Sequence, residues 1–250
     1  MKVAGAVALV TGANRGIGEG FVRVLLERGC ARVYAAARDP KLLPHFADPA
    51  RVVPLQLDVT KLEQCREAAA RASDITLLVN NAGLSHFGTT LLHDEAERDL
   101  REEMEVNLFG ILNTFRAFRE ALERNGGGAI VNILSAGALM NVPLLSTYSV
   151  TKAAALSLTQ AIRAATAAQK TLVTAAIVGS VDTRMAEHVP KEVMKVSPAF
   201  VAKAVLDGVE RNEEEIDTDP MAVDVRARIA RDPKKMERFF ARGLQLVRKT

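Results

Sequence analysis

The sequence predicts an α/β fold: one domain spanning residues 1–250, built as a doubly wound parallel sheet of about seven strands with helices on both faces. Three observations carry this. Apolar runs of strand length alternate with helical patterns from the start, as a parallel sheet covered on both faces requires. A glycine-rich turn follows the first apolar run and opens a helix. The 250 residues show no internal repeat, low-complexity linker or second core, and a chain of this length buries a substantial core without staples.

Met1 to Val10 places a charge before apolar residues, as a signal peptide does. It is too short to span a bilayer and runs straight into the glycine turn, so it reads as a buried strand. No other stretch reads as a membrane span. The predicted strands are 6–10, 32–37, 51–57, 75–79, 129–134, 171–178 and 214–218, with helices between them. Pro54 lacks an N–H and falls inside the third strand, which assigns that strand to a sheet edge. In the order 3-2-1-4-5-6 the third strand is such an edge. A long helix is predicted from about Asp94 to Glu123, stopped by Gly126-Gly127-Gly128.

Cys30 and Cys65 show no Cys-x-x-Cys or histidine-rich spacing and read as reduced thiols of a cytoplasmic protein. His45, His86, His93 and His188 show no ligand spacing, so no metal is assigned. The formal charge of +3 is uneven: residues 221–250 carry +6 and the remainder −3. The basic excess is therefore a C-terminal feature rather than a whole-protein field.

The first strand ends in Thr11-Gly12-Ala13-Asn14-Arg15-Gly16-Ile17-Gly18. Glycines here let backbone approach a pyrophosphate, whose charge then meets free N–H groups and the positive end of a helix dipole. The pattern is not Gly-x-Gly-x-x-Gly, and it lacks the Lys-Ser/Thr ending of a P-loop, so nucleoside triphosphates are not expected. At the end of the second strand, where an acidic residue takes the ribose hydroxyls of NAD, the chain has Ala35-Ala36-Ala37-Arg38. Arg38 together with Arg15 suits a 2′-phosphate, which favours NADP(H) over NAD(H). The competing reading is an ordinary surface pair of Arg38 with Asp39.

Ser146 sits where a helix N-cap belongs, and Lys152-Ala153-Ala154-Ala155-Leu156 are helix formers. A helix starting at Ser146 puts Tyr148 and Lys152 one turn apart on one face. There the ammonium is expected to favour the phenolate and lower the phenol pKa from ~10 toward neutrality, so that the hydroxyl exchanges a proton with a carbonyl or alcohol. On its own the pair also fits a solvated helix face.

Thr11 to Gly18, Asn80-Asn81-Ala82-Gly83, Asn107, Ser135 and Tyr148-x-x-x-Lys152 stand in order in one chain. Together they resemble the short-chain dehydrogenase/reductase family over roughly residues 6–183. The resemblance implies a single-domain Rossmann fold that moves hydride between NAD(P) and an alcohol or carbonyl. It also implies a homodimer or homotetramer that pairs through the helices at 94–123 and 146–168. It casts Tyr148 as general acid/base, Ser135 as donor to the substrate oxygen, and Lys152 as the group that holds the nicotinamide ribose and tunes the phenol. Asn107 is similar to the family's helix-kinking Asn that positions a water in the proton relay. Gly12, Asn14, Arg15, Gly16, Ile17, Gly18 and Arg38 would bind the cofactor, with Asp58-Val59 at the adenine, Asn81-Ala82-Gly83 under the adenosine ribose, and Val181 and Thr183 at the carboxamide.

Two departures stand out. The family usually has Pro-Gly where this chain has Val178-Gly179, and loss of the proline is expected to loosen that turn. The loop from Ala136 to Leu145 also lacks the Gly-Asn-x-Gly-Gln run of fatty-acid-type 3-oxoacyl reductases, so that activity is not assigned. Met140, Leu144, Leu145, Met185, Val189 and Met194 are candidates to line an apolar substrate pocket, or else ordinary core and lid residues. Residues 183–198 fall where the family keeps a mobile lid.

The tail at 221–250 repeats Met236, Phe239, Phe240, Leu244 and Val247 at helical spacing, interleaved with Lys235, Arg238, Arg242 and Arg248. It reads as a helix packed on the domain or on a partner subunit, with a membrane-surface or nucleic-acid element as the alternatives. Neither a nucleic acid nor a membrane is expected as a partner. The expected activity is NADPH-dependent carbonyl reduction or alcohol oxidation on a small, apolar substrate. The alternative is a catalytically silent NADP(H)-binding sensor or regulatory partner.

Overall fold

Seven parallel strands form one sheet: β1 (Val7–Thr11), β2 (Arg32–Ala37), β3 (Val52–Gln56), β4 (Leu77–Asn80), β5 (Gly128–Ile133), β6 (Thr171–Ile177) and β7 (Glu215–Asp217). This computed structural model describes residues 1–189 and 192–247, with side chains through residue 242. The strand order is β3-β2-β1-β4-β5-β6-β7. All seven predicted strands are present, shifted by no more than two residues at either end. β3 is an edge, as Pro54 required; Pro54 pairs with Ala35 of β2 and faces no strand on its other side.

The chain runs outward from β1 to β3, then returns to lay β4 against the other side of β1. That reversal opens a crevice beyond the carboxyl ends of β1 and β4, where doubly wound sheets bind ligands. Every residue of β4 is buried, and β5 is buried beyond its first residue, as expected of strands covered on both faces.

Helices α1 (Gly16–Glu27) and α6 (Pro198–Glu210) pack together on one face. There Phe21, Val24, Leu25, Val201, Val205 and Leu206 close a core with Val10, Val33 and Val79. The opposite face carries α2 (Leu62–Arg71), α4 (Gly110–Arg124) and α5 (Ser146–Ala165), which bury Cys65, Phe118, Leu122, Ala155 and Ile162 over Leu9, Leu78 and Ile130. Each fully buried Leu, Phe or Ile contributes about 1.5–3 kcal/mol.

The predicted long helix is interrupted. It divides into α3 (Ala96–Met104), a π-helical turn (Glu105–Phe109) and α4. The interruption is centred on Asn107, the residue expected to kink this helix, and π turns of this kind recur at functional sites. Gly126 and Gly127 take φ of +88° and +97° after α4 and end it, as the glycine run required.

Ser146 is not the N-cap of α5. Leu145 holds that position and Ser146 already has helical dihedrals. The Ser146 hydroxyl instead donates to the Thr89 carbonyl at 3.2 Å. The sequence ends in α7 (Pro220–Arg231) and α8 (Pro233–Val247). α8 packs on α7 and on the Pro143–Leu145 turn, with Met236 buried and Phe239 exposed. The tail is therefore a helix docked on its own domain. The side chains of Leu244 and Val247, and all of Arg248, lie outside the described residues.

Candidate active site

Three segments meet at the crevice. The first is the turn from Thr11 to Gly18. Gly12 and Gly16 take φ of +66° and +56°, a region that side chains penalise. A Cβ on Gly18 would collide with the Gly12 carbonyl and come within 2.6 Å of Asn81 Nδ2. The turn thus brings backbone to within van der Waals distance of backbone. α1 begins at Gly16 with Arg15 as N-cap and no side-chain capping hydrogen bond, so its first N–H groups face the crevice free of a protein side-chain acceptor. Such a helix end is suited to an anion.

The second segment is Asn80 to Gly83. Thr11 holds it against the glycine turn: its buried hydroxyl accepts from Asn81 N at 2.9 Å and Ala82 N at 3.0 Å, while Asn81 Nδ2 donates to the Thr11 carbonyl at 2.8 Å. A Cβ on Gly83 would sit 3.4 Å from Asn107 Oδ1 and 3.8 Å from Lys152 Nζ. The two predicted sets, cofactor turn and catalytic groups, therefore adjoin at Gly83.

The third segment comprises Ser135 and the first two turns of α5. Ser135 caps the short turn Ala136–Ala138, its Oγ accepting from Gly137 N at 3.1 Å. That bond uses a lone pair and leaves the hydroxyl hydrogen free to donate. Lys152 is buried, donates to the Ile133 carbonyl at 2.9 Å and places Nζ 5.5 Å from the Tyr148 ring centroid. Asn107 is fully buried. Its amide bonds Leu84 twice, accepting from N at 2.9 Å and donating to O at 2.8 Å, and donates to Thr151 Oγ1 at 2.9 Å. Thr151 in turn donates to the Tyr148 carbonyl at 2.7 Å. The Asn107 side chain is thus a brace between the Leu84 segment and the helix that carries Tyr148.

The electrostatics correct the sequence expectation. Burial, with the nearby Glu103 charge, pushes the Tyr148 phenol up to about 12, and the Ser135 side chain only partly opposes this. Burial lowers Lys152 to about 8. In the chain itself loss of hydration outweighs the attraction of ammonium for phenolate, because both groups leave water together. The chain on its own therefore presents Tyr148 as a neutral phenol, ready to give a proton.

Arg15 and Arg38 are both exposed at the crevice end of β1 and β2. The Asp39 carboxylate accepts from Lys41 N at 3.0 Å, and among the described residues it makes no ion pair with Arg38. Asp58 Oδ1 is committed to Thr60 N and Oγ1 at 3.0 and 2.8 Å. Val59 is buried, its carbonyl accepting from Asn113 Nδ2 at 3.0 Å. Thr183 lies against the glycine turn, 3.3 Å from where a Gly16 Cβ would be.

The turn at Val178-Gly179 is held despite the missing proline. Ala136 N donates to the Val178 carbonyl at 2.8 Å, and Gly179 N donates to Asp219 Oδ2 at 2.7 Å. Asp219 also caps α7 through Met221 N and Ala222 N. Val181 is buried and forms a parallel bridge with Val196, which clamps the base of the predicted lid. Of the candidate pocket residues, Met185 and Met194 are 49% and 71% exposed, and Met140, Leu144, Leu145 and Val189 are partly buried. None of the six belongs to either core. Pro190 and Lys191, inside the lid, lie outside the described residues.

Sequence spacing also missed a cluster of His86, Asp99 and Glu102, whose ligand-type atoms lie within 4.8 Å of one another. Those atoms already have partners: Asp99 pairs with Arg98 at 2.8 Å and accepts from Thr89 at 2.7 Å, and His86 Nε2 meets Glu102 at 3.0 Å. The cluster reads as a hydrogen-bond network.

Comparisons with known proteins bear on the family and the fold. A model of the short chain dehydrogenase family matches residues 6–193. The crystal structure of a short chain dehydrogenase from Burkholderia cenocepacia J2315 in complex with NADP is 40% identical, with a TM-score of 0.90 over 96% of this chain and 99% of its own. A 3-alpha-(or 20-beta)-hydroxysteroid dehydrogenase of Mycobacterium bovis is 30% identical over 82% of this chain and 80% of that protein. The galactitol 2-dehydrogenase (L-tagatose-forming) of Cereibacter sphaeroides is 36% identical over 74% of each. With its sheet order, its glycine cradle and its Ser135, Tyr148 and Lys152 in place, the chain belongs to the short-chain dehydrogenase family.

Proposed function

We propose that the protein is an NADPH-dependent oxidoreductase that interconverts a carbonyl and a secondary alcohol, with Tyr148 as general acid/base. The observation that carries the proposal is that Lys152 Nζ lies both beside the Tyr148 ring and beside Gly83, at the end of the segment that Thr11 pins to the glycine turn. The residues present fit the dinucleotide. Gly12, Asn14, Arg15, Gly16, Ile17 and Gly18 would cradle its pyrophosphate, Asp58, Val59, Asn81, Ala82 and Gly83 its adenosine, and Val181 and Thr183 its carboxamide. The exposed guanidinium groups of Arg15 and Arg38, with no acid at the end of β2, support NADP(H) over NAD(H); the NADP complex of the Burkholderia protein is consistent with that choice.

When bound, the reduced nicotinamide supplies hydride. The chain's own residues supply the rest. A carbonyl oxygen gains negative charge as it is reduced, so it needs a proton and donors placed beforehand. Ser135 O–H, with its acceptor side already occupied by Gly137 N–H, donates to that oxygen. Tyr148, held as a neutral phenol, delivers the proton. Lys152 contributes a positive charge from within the same wall and would bind the ribose hydroxyls. Asn107 would keep the relay water, its side chain tying the π turn to Leu84 and to Thr151 of α5. Because the chain itself favours the phenol, Tyr148 is in the protonation state that carbonyl reduction needs.

The proposal extends to a small, apolar substrate, a homodimer or homotetramer, and a cytoplasmic location. Phe109 and Val150, 42% and 41% exposed on the two helices that would pair, support the oligomer. Among the described residues no helix is long and apolar enough to cross a membrane. The test is NADPH consumption, and NADP reduction in reverse, against ketones, aldehydes, quinones and secondary alcohols. Turnover that Tyr148→Phe abolishes supports the reading. Tight NADPH binding without turnover on any of these classes would replace it with the sensor.

A further inference from the structure

Glu103 is a carboxylate with no exposed surface, one turn before Asn107 on the same side of the helix. An ionised carboxylate costs several kcal/mol to desolvate unless it is well partnered, and this one is only half satisfied. Oε1 accepts from His86 N at 2.6 Å. Oε2 is buried with no hydrogen-bond partner, and so is Thr147 Oγ1, the hydroxyl just before Tyr148. The Thr147 side chain nevertheless acts on the Glu103 carboxyl as a stabilising neighbour, so the two unmatched groups face one another.

The surrounding bonds tie the same two elements. Ser146 donates to the Thr89 carbonyl and Thr89 to Asp99, while Asn107 grips Leu84. Glu103 therefore stands where α3, the Leu84–Thr89 segment and the first turn of α5 join. The charged or titratable groups that face it are Asp99 from its own helix, His86 from the segment, and Tyr148 and Lys152 from α5.

We infer that Glu103 is a positioning residue for the acid–base pair: its buried carboxyl, bonded to the Leu84–His86 segment, packs against the turn bearing Tyr148 and sets the charge around Tyr148 and Lys152. This rests on the reading of Tyr148 as acid/base. The charge favours phenol over phenolate and ammonium over amine, and both effects are present in the chain. It keeps the proton on the pair in the form needed to reduce a carbonyl. It also counters, at Lys152, the burial that would otherwise neutralise the cation. Burial raises the Glu103 carboxyl above the ordinary carboxylate range, and the His86 N–H and the Thr147 side chain oppose that rise.

The test needs no substrate. The chain has two tyrosines and no tryptophan, so a protein labelled at tyrosine Cζ gives two NMR signals, assigned with Tyr34→Phe. Lys152 Cε, assigned with Lys152→Met, gives a third. In Glu103→Gln, nearly isosteric, the Tyr148 and Lys152 midpoints are expected to fall by on the order of 1–2 pH units, as for loss of one unit charge ~6–12 Å away at an effective dielectric of ~20. Tyr34 should not move. Glu103→Asp keeps the charge and shortens the reach, so the midpoints should stay near the parent's while kcat on any substrate found falls several-fold with the pH profile unmoved. Unchanged midpoints in a folded Glu103→Gln protein overturn the inference, as does Glu103→Asp with full kcat. If Glu103→Gln does not fold, Thr147→Val decides: loss of kcat without a pH shift supports the lock, and full kcat refutes it. Failure of the functional reading shows separately, as absence of turnover in the parent.

Discussion

Replacing Lys152 by Met should make the folding stability of the protein less dependent on pH, and the structure fixes both the sign and the size. Lys152 is lowered from 10.5 to about 8 by burial, a difference of about 2.5 units. At 1.36 kcal/mol per unit this is about 3 kcal/mol of penalty for keeping the buried side chain charged. The folded pKa lies below the unfolded one, so between about 8 and 10.5 the unfolded chain binds the extra proton. Parental stability therefore gains this contribution as pH rises through that window, holds it in full above 10.5, and loses it as pH falls through the folded value of about 8. Met has similar length, no proton and no charge. It forfeits the 2.9 Å bond to the Ile133 carbonyl, a loss that is nearly constant with pH. The measurement is urea unfolding of parent and Lys152→Met, without cofactor, from pH 7 to 10.5, comparing midpoints at equal m-value. The stability difference, parent minus variant, should rise by about 3 kcal/mol across the window. A flat difference would refute the claim that burial dominates at Lys152.

Three further outcomes follow from the same geometry. Gly18→Ala drives a Cβ into the Gly12 carbonyl; an unfolding free energy lower by roughly 1–3 kcal/mol and a large loss of NADPH affinity by calorimetry are expected. Arg38→Ala should raise the NADPH KM about 10-fold or more, the size of one charge-assisted bond of ~1.5–3 kcal/mol, and leave the NADH KM nearly unchanged; equal effects on both would refute the 2′-phosphate role. Asp219→Ala removes the acceptor for Gly179, Met221 and Ala222 at once. It should cost about 2 kcal/mol, the upper range for a helix cap, and weaken cofactor binding through the Val181–Thr183 segment.

The sheet was legible because its strands are buried on both faces and so read as uninterrupted apolar runs, and Pro54 marked the edge because a missing N–H has meaning only in a ladder. The glycine cradle was legible for a related reason: close backbone approach leaves a residue type behind. Interactions between distant residues were not. Nothing local distinguishes Thr11 as the pin of the Asn81 turn, or Asp219 as the substitute for a proline 41 residues earlier. Asn80, Thr114, Asn132 and Thr159 form a buried hydrogen-bonded chain across β4 and β5, with distances of 2.8 to 2.9 Å, and their spacing in sequence signals nothing. Ser146 has the residue type of a cap, yet the chain places it one step inside the helix and spends its hydroxyl on Thr89. The Tyr148 prediction erred because helical spacing reveals the favourable charge pair and conceals the shared burial, which is the larger effect. Glu103 is one of several acids on its helix, and only packing shows that it is buried.

The central claim is that Tyr148 is the proton-transferring group of a carbonyl reductase. The most direct measurement pairs NADPH binding with NADPH oxidation for the parent and Tyr148→Phe, on whichever carbonyl the parent turns over best. Loss of general acid catalysis should cut turnover by about 10²–10⁴-fold while the NADPH dissociation constant changes less than about 3-fold, since the phenol hydroxyl is one contact among many. Turnover retained within a few-fold of the parent would contradict the account.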